Sequence, residues 1–138
     1  MLEYNAARLI AELQIIDSLS VAWGWDTEVI PGGIVYEKVE ASPEHVSSVP
    51  SVPVIEGETV LWNVNVSLIN GVTCFEMDSL QFVLGSASQP SGFEAIASHA
   101  LRGDSVRAIV PSLQGYGNIG LSGQIPPGAL LVLRLRQF

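Results

Sequence analysis

The chain has 138 residues, of which 48% are hydrophobic and 14% charged, a composition that fits one globular domain with a sizeable core and excludes a disordered chain. Its net charge is −8, and ten of its fourteen acids but only two of its six bases fall in residues 1–58. An acidic chain with so few cations disfavours nucleic-acid phosphates as a partner, and the single Cys74 excludes an internal disulfide.

Residues 3–22 predict a helix. Ala6, Leu9, Leu13 and Ile16 recur at helical spacing with Ile10 beside them, and Arg8, Glu12, Gln14 and Asp17 supply polar positions. Asn5 is the expected N-cap and Gly24 the stop. Trp23 and Trp25 flank that glycine and are expected to pack the helix end onto the body. The helix needs a surface for its apolar stripe, either its own body or a partner. We divide the chain into an N-terminal helical extension, 1–30, and a main domain, 31–138.

Pro31-Gly32-Gly33 is a turn, and Gly33–Val39 reads as a strand. Residues 41–58 carry Pro43, Pro50 and Pro53 among serines, which suits an extended connection rather than a central strand. His45 lies there without a ligand at metal-binding spacing. No metal or cofactor is expected anywhere in the chain. Thr59–Ile69 is the clearest strand. Val60, Trp62, Val64, Val66 and Leu68 alternate with Thr59, Leu61, Asn63, Asn65 and Ser67, and the first set is assigned to the core.

Asn70-Gly71 signals a hairpin turn. A strand follows through Thr73–Met77, and Leu80, Phe82 and Leu84 alternate again before Gly85. Residues 92–101 predict a short helix with Phe93, Ile96, Ala97 and Ala100 on its apolar side. Two strands close the chain: one with Val106, Ala108 and Val110 on a single face, the other with Leu131, Leu133 and Leu135 opposite Val132, Arg134 and Arg136. The order of helix, strands, short helix and two strands predicts an α+β fold with a mostly antiparallel sheet.

Several chemistries find no support. Glu76 and Asp78 lack a third group for acid–base work and read as solvated charges. The glycine-rich run at Tyr116-Gly117 has neither the lysine nor the helix of a phosphate loop. Cys74 reads as a small buried hydrophobe, with no histidine placed to activate it. No apolar run is long enough to span a bilayer. Residues 1–22 lack the basic-then-apolar order of a signal peptide, although Met1 can stand where a leader was removed.

From Phe82 to Leu135 the chain resembles the FKBP-type peptidyl-prolyl isomerase family. The resemblance rests on Leu84-Gly85, Gly92-Phe93-Glu94, Gly103-Asp104, Arg107-Ala108, Ile109-Val110-Pro111-Ser112, Tyr116-Gly117 and Ile125-Pro126-Pro127 followed by Leu130-Leu131-Val132. Upstream, Glu56-Gly57-Glu58-Thr59-Val60 and Asn70-Gly71 fit more weakly. The leading helix is similar to the arrangement in some bacterial envelope members, which favours a cell-envelope or periplasmic setting, with the leader absent from this chain.

The resemblance implies a half-wrapped antiparallel sheet with a short helix on its concave face and an apolar pocket between them. It implies rotation of X-Pro amides in a proline-containing peptide or unfolded client. The alternative is a non-catalytic FKBP-fold chaperone or protein-binding module. By the same resemblance, Tyr116 is the hydroxyl donor, Ile125 an apolar wall, and Phe93 the aromatic floor in place of the family's usual tryptophan. Phe75, Glu76, Leu80, Val66, Gln89, Pro90 and Leu133 complete the substrate-binding set. Phe75–Leu80 is shorter than in the family, so a framing bulge is expected to be lost. Pro90 stands where the family uses a backbone N–H, and proline has none.

Overall fold

Alternating apolar residues build a six-stranded sheet. The structure is a computed structural model describing residues 2–39, 52–117 and 119–138; His45, Pro43 and Pro50 lie outside the described residues. The strands are β1 (Glu28–Ile30), β2 (Ile34–Val39), β3 (Thr59–Leu68), β4 (Thr73–Val83), β5 (Ser105–Val110) and β6 (Leu131–Gln137). They lie in the order β1-β2-β5-β6-β3-β4, and every neighbouring pair is antiparallel. With helices α1 (Leu2–Ala22) and α2 (Ser91–His99) this is an α+β fold.

Each face of the sheet has its own core, because successive side chains point to opposite sides. One face carries Val60, Trp62, Val64 and Val66 of β3, Val106, Ala108 and Val110 of β5, and Leu131, Leu133 and Leu135 of β6. Helix α2 covers it with Phe93, Ile96 and Ala97. The other face offers Val35, Ile109 and Val132, which pack with Ile16 of α1 and with Trp25. Arg107 helps close that side: its guanidinium lies 4.5 Å from the Trp25 ring centre and donates to Glu37 on β2 at 3.0 and 3.1 Å.

Three elements differ from the sequence reading. The three-residue edge strand β1 is too short to carry a period. The two segments expected after Asn70-Gly71 are one strand, β4, running from Thr73 to Val83. That strand also keeps a bulge: Trp62 faces Leu80 while Val64 faces Met77, so β4 spends one extra residue there. Finally, Glu12 is buried rather than solvated. Leu9 and Leu13 of the expected stripe are half-buried and Ile16 fully so, while Ile10, Ile15 and Val21 stay exposed.

Candidate functional site

The site residues are delivered by β3, β4, β6, α2 and the loop before it, and the long connection between β5 and β6. On β3 the alternation turns Trp62 and Val66 toward α2, and Leu133 of β6 pairs directly with Val66. Pro90 ends the loop before α2 with φ −53° and ψ 148°, an extended geometry suited to a helix start. Its carbonyl accepts the N–H groups of Phe93 at 2.9 Å and Glu94 at 3.3 Å. Glu94 reaches back, its carboxylate accepting the Gly85 N–H at 2.7 Å, which ties the loop to the helix.

After β5 the chain makes a 3-10 turn at Ser112–Gln114 and then the loop that carries Tyr116. The loop is hydrogen-bonded internally. Gly117 N–H donates to the Ser112 carbonyl at 2.7 Å, and Gly120 N–H to that of Tyr116 at 3.0 Å. Leu121 and Ile125 exchange both backbone bonds, at 2.9 and 2.8 Å. Ile125 is thereby pressed inward and is buried. A cleft of ≈ 560 Å³ lies outside this bridge, lined by Ile119, Leu121, Gln124, Ile125, Pro126 and Pro127.

The aromatic rings form a continuous row. Phe82 meets Trp62 edge-on at 5.3 Å, Trp62 lies 5.8 Å from Phe93, and Phe93 meets Tyr116 edge-on at 6.0 Å with an interplanar angle of 87°. Such geometry aims a ring's positive edge at its neighbour's negative face. The Phe93 ring has no exposed surface, while Tyr116 is half-buried at the end of the row. Burial pushes the Tyr116 phenol above the usual range, so it stays protonated as a donor. Among the described residues, no group forms a hydrogen bond with its hydroxyl.

One cluster thus brings together Phe93, Ile125, Val66, Leu80 and Leu133, with Tyr116 and Phe75 packed against it. Gln89 and Pro90 sit half-buried at the start of α2. Glu76 is not brought to the cluster: it pairs with Asn65 on the opposite sheet face, and its carboxylate accepts the Asn65 amide at 2.6 Å. Cys74 packs beside the cluster, and burial raises its thiol pKa, which suits an unreactive thiol. Among the described residues no group of three His, Cys, Asp or Glu side chains could hold a metal.

Two contributors went unread. Gln137 is fully buried; it accepts the Trp62 indole N–H at 2.9 Å and donates to the carbonyls of Ala97 at 3.2 Å and Ala100 at 3.0 Å. It continues the inward register of Leu131, Leu133 and Leu135, and that register was the available signal. Glu12 is the other. It lies one turn before Ile16, just outside the arc spanned by Leu9, Leu13 and Ile16 and between Ile16 and the half-buried Leu19, so the helical period places it at the border of the buried side.

A short helix closing one face of an open antiparallel sheet, with a tyrosine-tipped aromatic row beneath it, is an FKBP-like α+β arrangement. Residues 52–136 match the FKBP-type peptidyl-prolyl cis-trans isomerase family, and the chain belongs to it. Among solved structures it resembles a peptidyl-prolyl cis-trans isomerase from Pseudomonas syringae pv. tomato, at TM-score 0.73 and 21% identity over 96% of this chain and 92% of that one. It also resembles FkpA from Escherichia coli, at TM-score 0.72 and 22% identity over 99% of this chain and 61% of FkpA. The curated proteins give no match. No helix among the described residues is long and apolar enough to cross a membrane.

Proposed function

We propose that the protein is a slow peptidyl-prolyl cis-trans isomerase acting on proline-containing segments of peptides or unfolded proteins. The observation that carries this reading is the Tyr116 phenol: protonated, without a partner among the described residues, and held edge-on above Phe93. Rotation about an X-Pro amide needs no nucleophile, metal or redox group. It needs relief of amide resonance, whose barrier is ~18–20 kcal/mol. An apolar surface disfavours the polar planar amide, and a hydroxyl donor holds the substrate carbonyl while the bond twists. Ile125 borders both the buried cluster and the outer cleft, and so offers a wall along which flanking substrate residues lie.

Two features argue for slowness. Pro90 supplies no N–H to the substrate carbonyl, a loss of roughly 0.5–1.5 kcal/mol of net hydrogen bonding. The Phe93 floor is wholly covered, so a proline ring reaches it only after covering side chains move. The same two features favour a second reading, in which the fold binds prolyl segments without turning them over.

A protease-coupled assay on a proline tetrapeptide, run with and without a macrolide inhibitor, separates the readings. Inhibitable acceleration over the spontaneous rate supports the isomerase. Background rates at high micromolar protein, with suppressed aggregation of an unfolded client, support the binding module.

A further inference from the structure

The loop bearing Tyr116 rests on α1 at both of its base points. At its start, Glu12 grips one residue twice: its Oε1 accepts the Ser112 backbone N–H at 2.7 Å, and its Oε2 accepts the Ser112 hydroxyl at 2.6 Å. Arg8, one helical turn earlier, donates from Nε to the same Oε2 at 3.0 Å. The Glu12 side chain is only 9% exposed, so these bonds form largely away from water, where charge-assisted donors hold geometry best. At the loop's far side, the tip of the Arg8 guanidinium lies against Gly128, where an added Cβ would meet it. Gly128 in turn donates its N–H to the Gly117 carbonyl at 2.8 Å.

The path from Glu12 to the phenol is short. Ser112, held by Glu12, accepts the Gly117 N–H at 2.7 Å, and Gly117 follows Tyr116 directly. The same 3-10 turn is tied to α2: Gln114 Oε1 accepts the Ser91 hydroxyl at 2.6 Å, two residues before Phe93. The two rings of the site therefore share one support, and Glu12 is its buried anchor.

We propose that Glu12 is a positioning residue for the prolyl site, which makes α1 a working part of that site rather than an appended helix. Through Ser112, and with Arg8 bracing Gly128, it sets where the Tyr116 hydroxyl stands above Phe93. The inference rests on the reading of Tyr116 as the pocket donor.

The test uses the full chain with Glu12→Ala and Glu12→Gln. Amide hydrogen exchange and isomerase kinetics are both read, the kinetics normalised to the folded fraction. Glutamine is the conservative control, because its carbonyl still accepts the Ser112 N–H and its amide can donate to the hydroxyl oxygen. For Glu12→Ala we expect exchange at Ser112 and Gly117 to rise about tenfold while β3 and β6 amides keep their protection. Normalised kcat is expected to fall about tenfold with little change in KM, and Glu12→Gln to recover most of both.

Unchanged exchange at Gly117 in folded Glu12→Ala, or unchanged normalised kcat beside faster exchange, overturns the proposal. So does a uniform rise across the whole sheet, which marks Glu12 as a general stabiliser. Should Glu12→Ala not fold, Ser112→Ala, which removes only the hydroxyl bond, replaces it under the same criteria. A wild-type protein without isomerase activity defeats the functional reading instead, and the exchange data still decide whether Glu12 anchors the loop.

Discussion

Trp62 on β3 donates its indole N–H to Gln137 on β6, and that single bond joins the aromatic row to the last strand and, through Gln137, to the end of α2. Replacing Gln137 with leucine keeps the side chain's bulk but leaves the indole N–H and two carbonyls buried without partners. A buried polar group without its partner costs about 1–3 kcal/mol. We expect Gln137→Leu to lower stability by roughly 2–4 kcal/mol. Urea unfolding followed by tryptophan fluorescence reads this as a lower midpoint with an unchanged slope. An unshifted midpoint removes Gln137 from the core account.

Gly92 is needed where α2 meets the 3-10 turn. A Cβ there would stand 2.6 Å from the Gln114 carbonyl oxygen and 2.7 Å from Val110. The first neighbour is backbone and gives way only by moving the turn. Gly92→Ala is therefore expected to cost about 1–3 kcal/mol and to separate Phe93 from Tyr116. Thermal unfolding checks the first effect. A loss of the Phe93 ring-current shifts on the Tyr116 ring protons in NMR spectra checks the second.

Pro90 offers a gain-of-function test. Its φ of −53° and ψ of 148° suit any residue, and an N–H placed there by another residue would take no part in the helix's own bonding. Pro90→Ala restores the missing donor at a cost of roughly 0.4–1 kcal/mol in chain entropy. We expect kcat/KM for a proline tetrapeptide to rise about three- to tenfold. A folded variant with unchanged kcat/KM contradicts the role given to this position.

Much of this architecture was legible in the chain, for one physical reason: period-2 alternation marks strands wherever one face is buried. Val60 to Val66, and Leu131 to Leu135, announced both their strands and their faces. The three-residue β1 had no period to display, and the bulge in β4 broke one strand's period into two. Tyr116, Phe93 and Ile125 were singled out through the family resemblance carried by the motifs around them. Gln137 and Glu12 were passed over because polarity was read as exposure. Strand register and helical period hinted at their burial, but the partners that satisfy them lie 40 and 100 residues away in the chain, and no local pattern reveals those.

The Tyr116 phenol predicts a pH profile. Its neutral form is the donor, and burial raises its pKa above the usual value of about 10. Activity from this group is thus fully present at neutral pH, holds through pH 9 and falls only as pH passes the raised value. The stability linkage has the same sign. The contribution is complete below the unfolded pKa and is lost as pH rises through the folded one. Ultraviolet titration at the phenolate band, with rates measured alongside, checks both. A falling rate limb between about pH 8 and 9 contradicts the assignment.

The central claim is that the Tyr116 hydroxyl, standing over Phe93, assists rotation of an X-Pro amide. Exchange NMR on a proline tetrapeptide measures the cis–trans rate without a coupling protease. With wild-type protein at neutral pH we predict cis–trans cross-peaks well above those of the free peptide, whose exchange takes tens to hundreds of seconds. Tyr116→Phe, which keeps the ring and loses only the donor, is predicted to slow that exchange about tenfold. Equal rates for the wild type and a folded Tyr116→Phe, or no acceleration by either, would contradict the account.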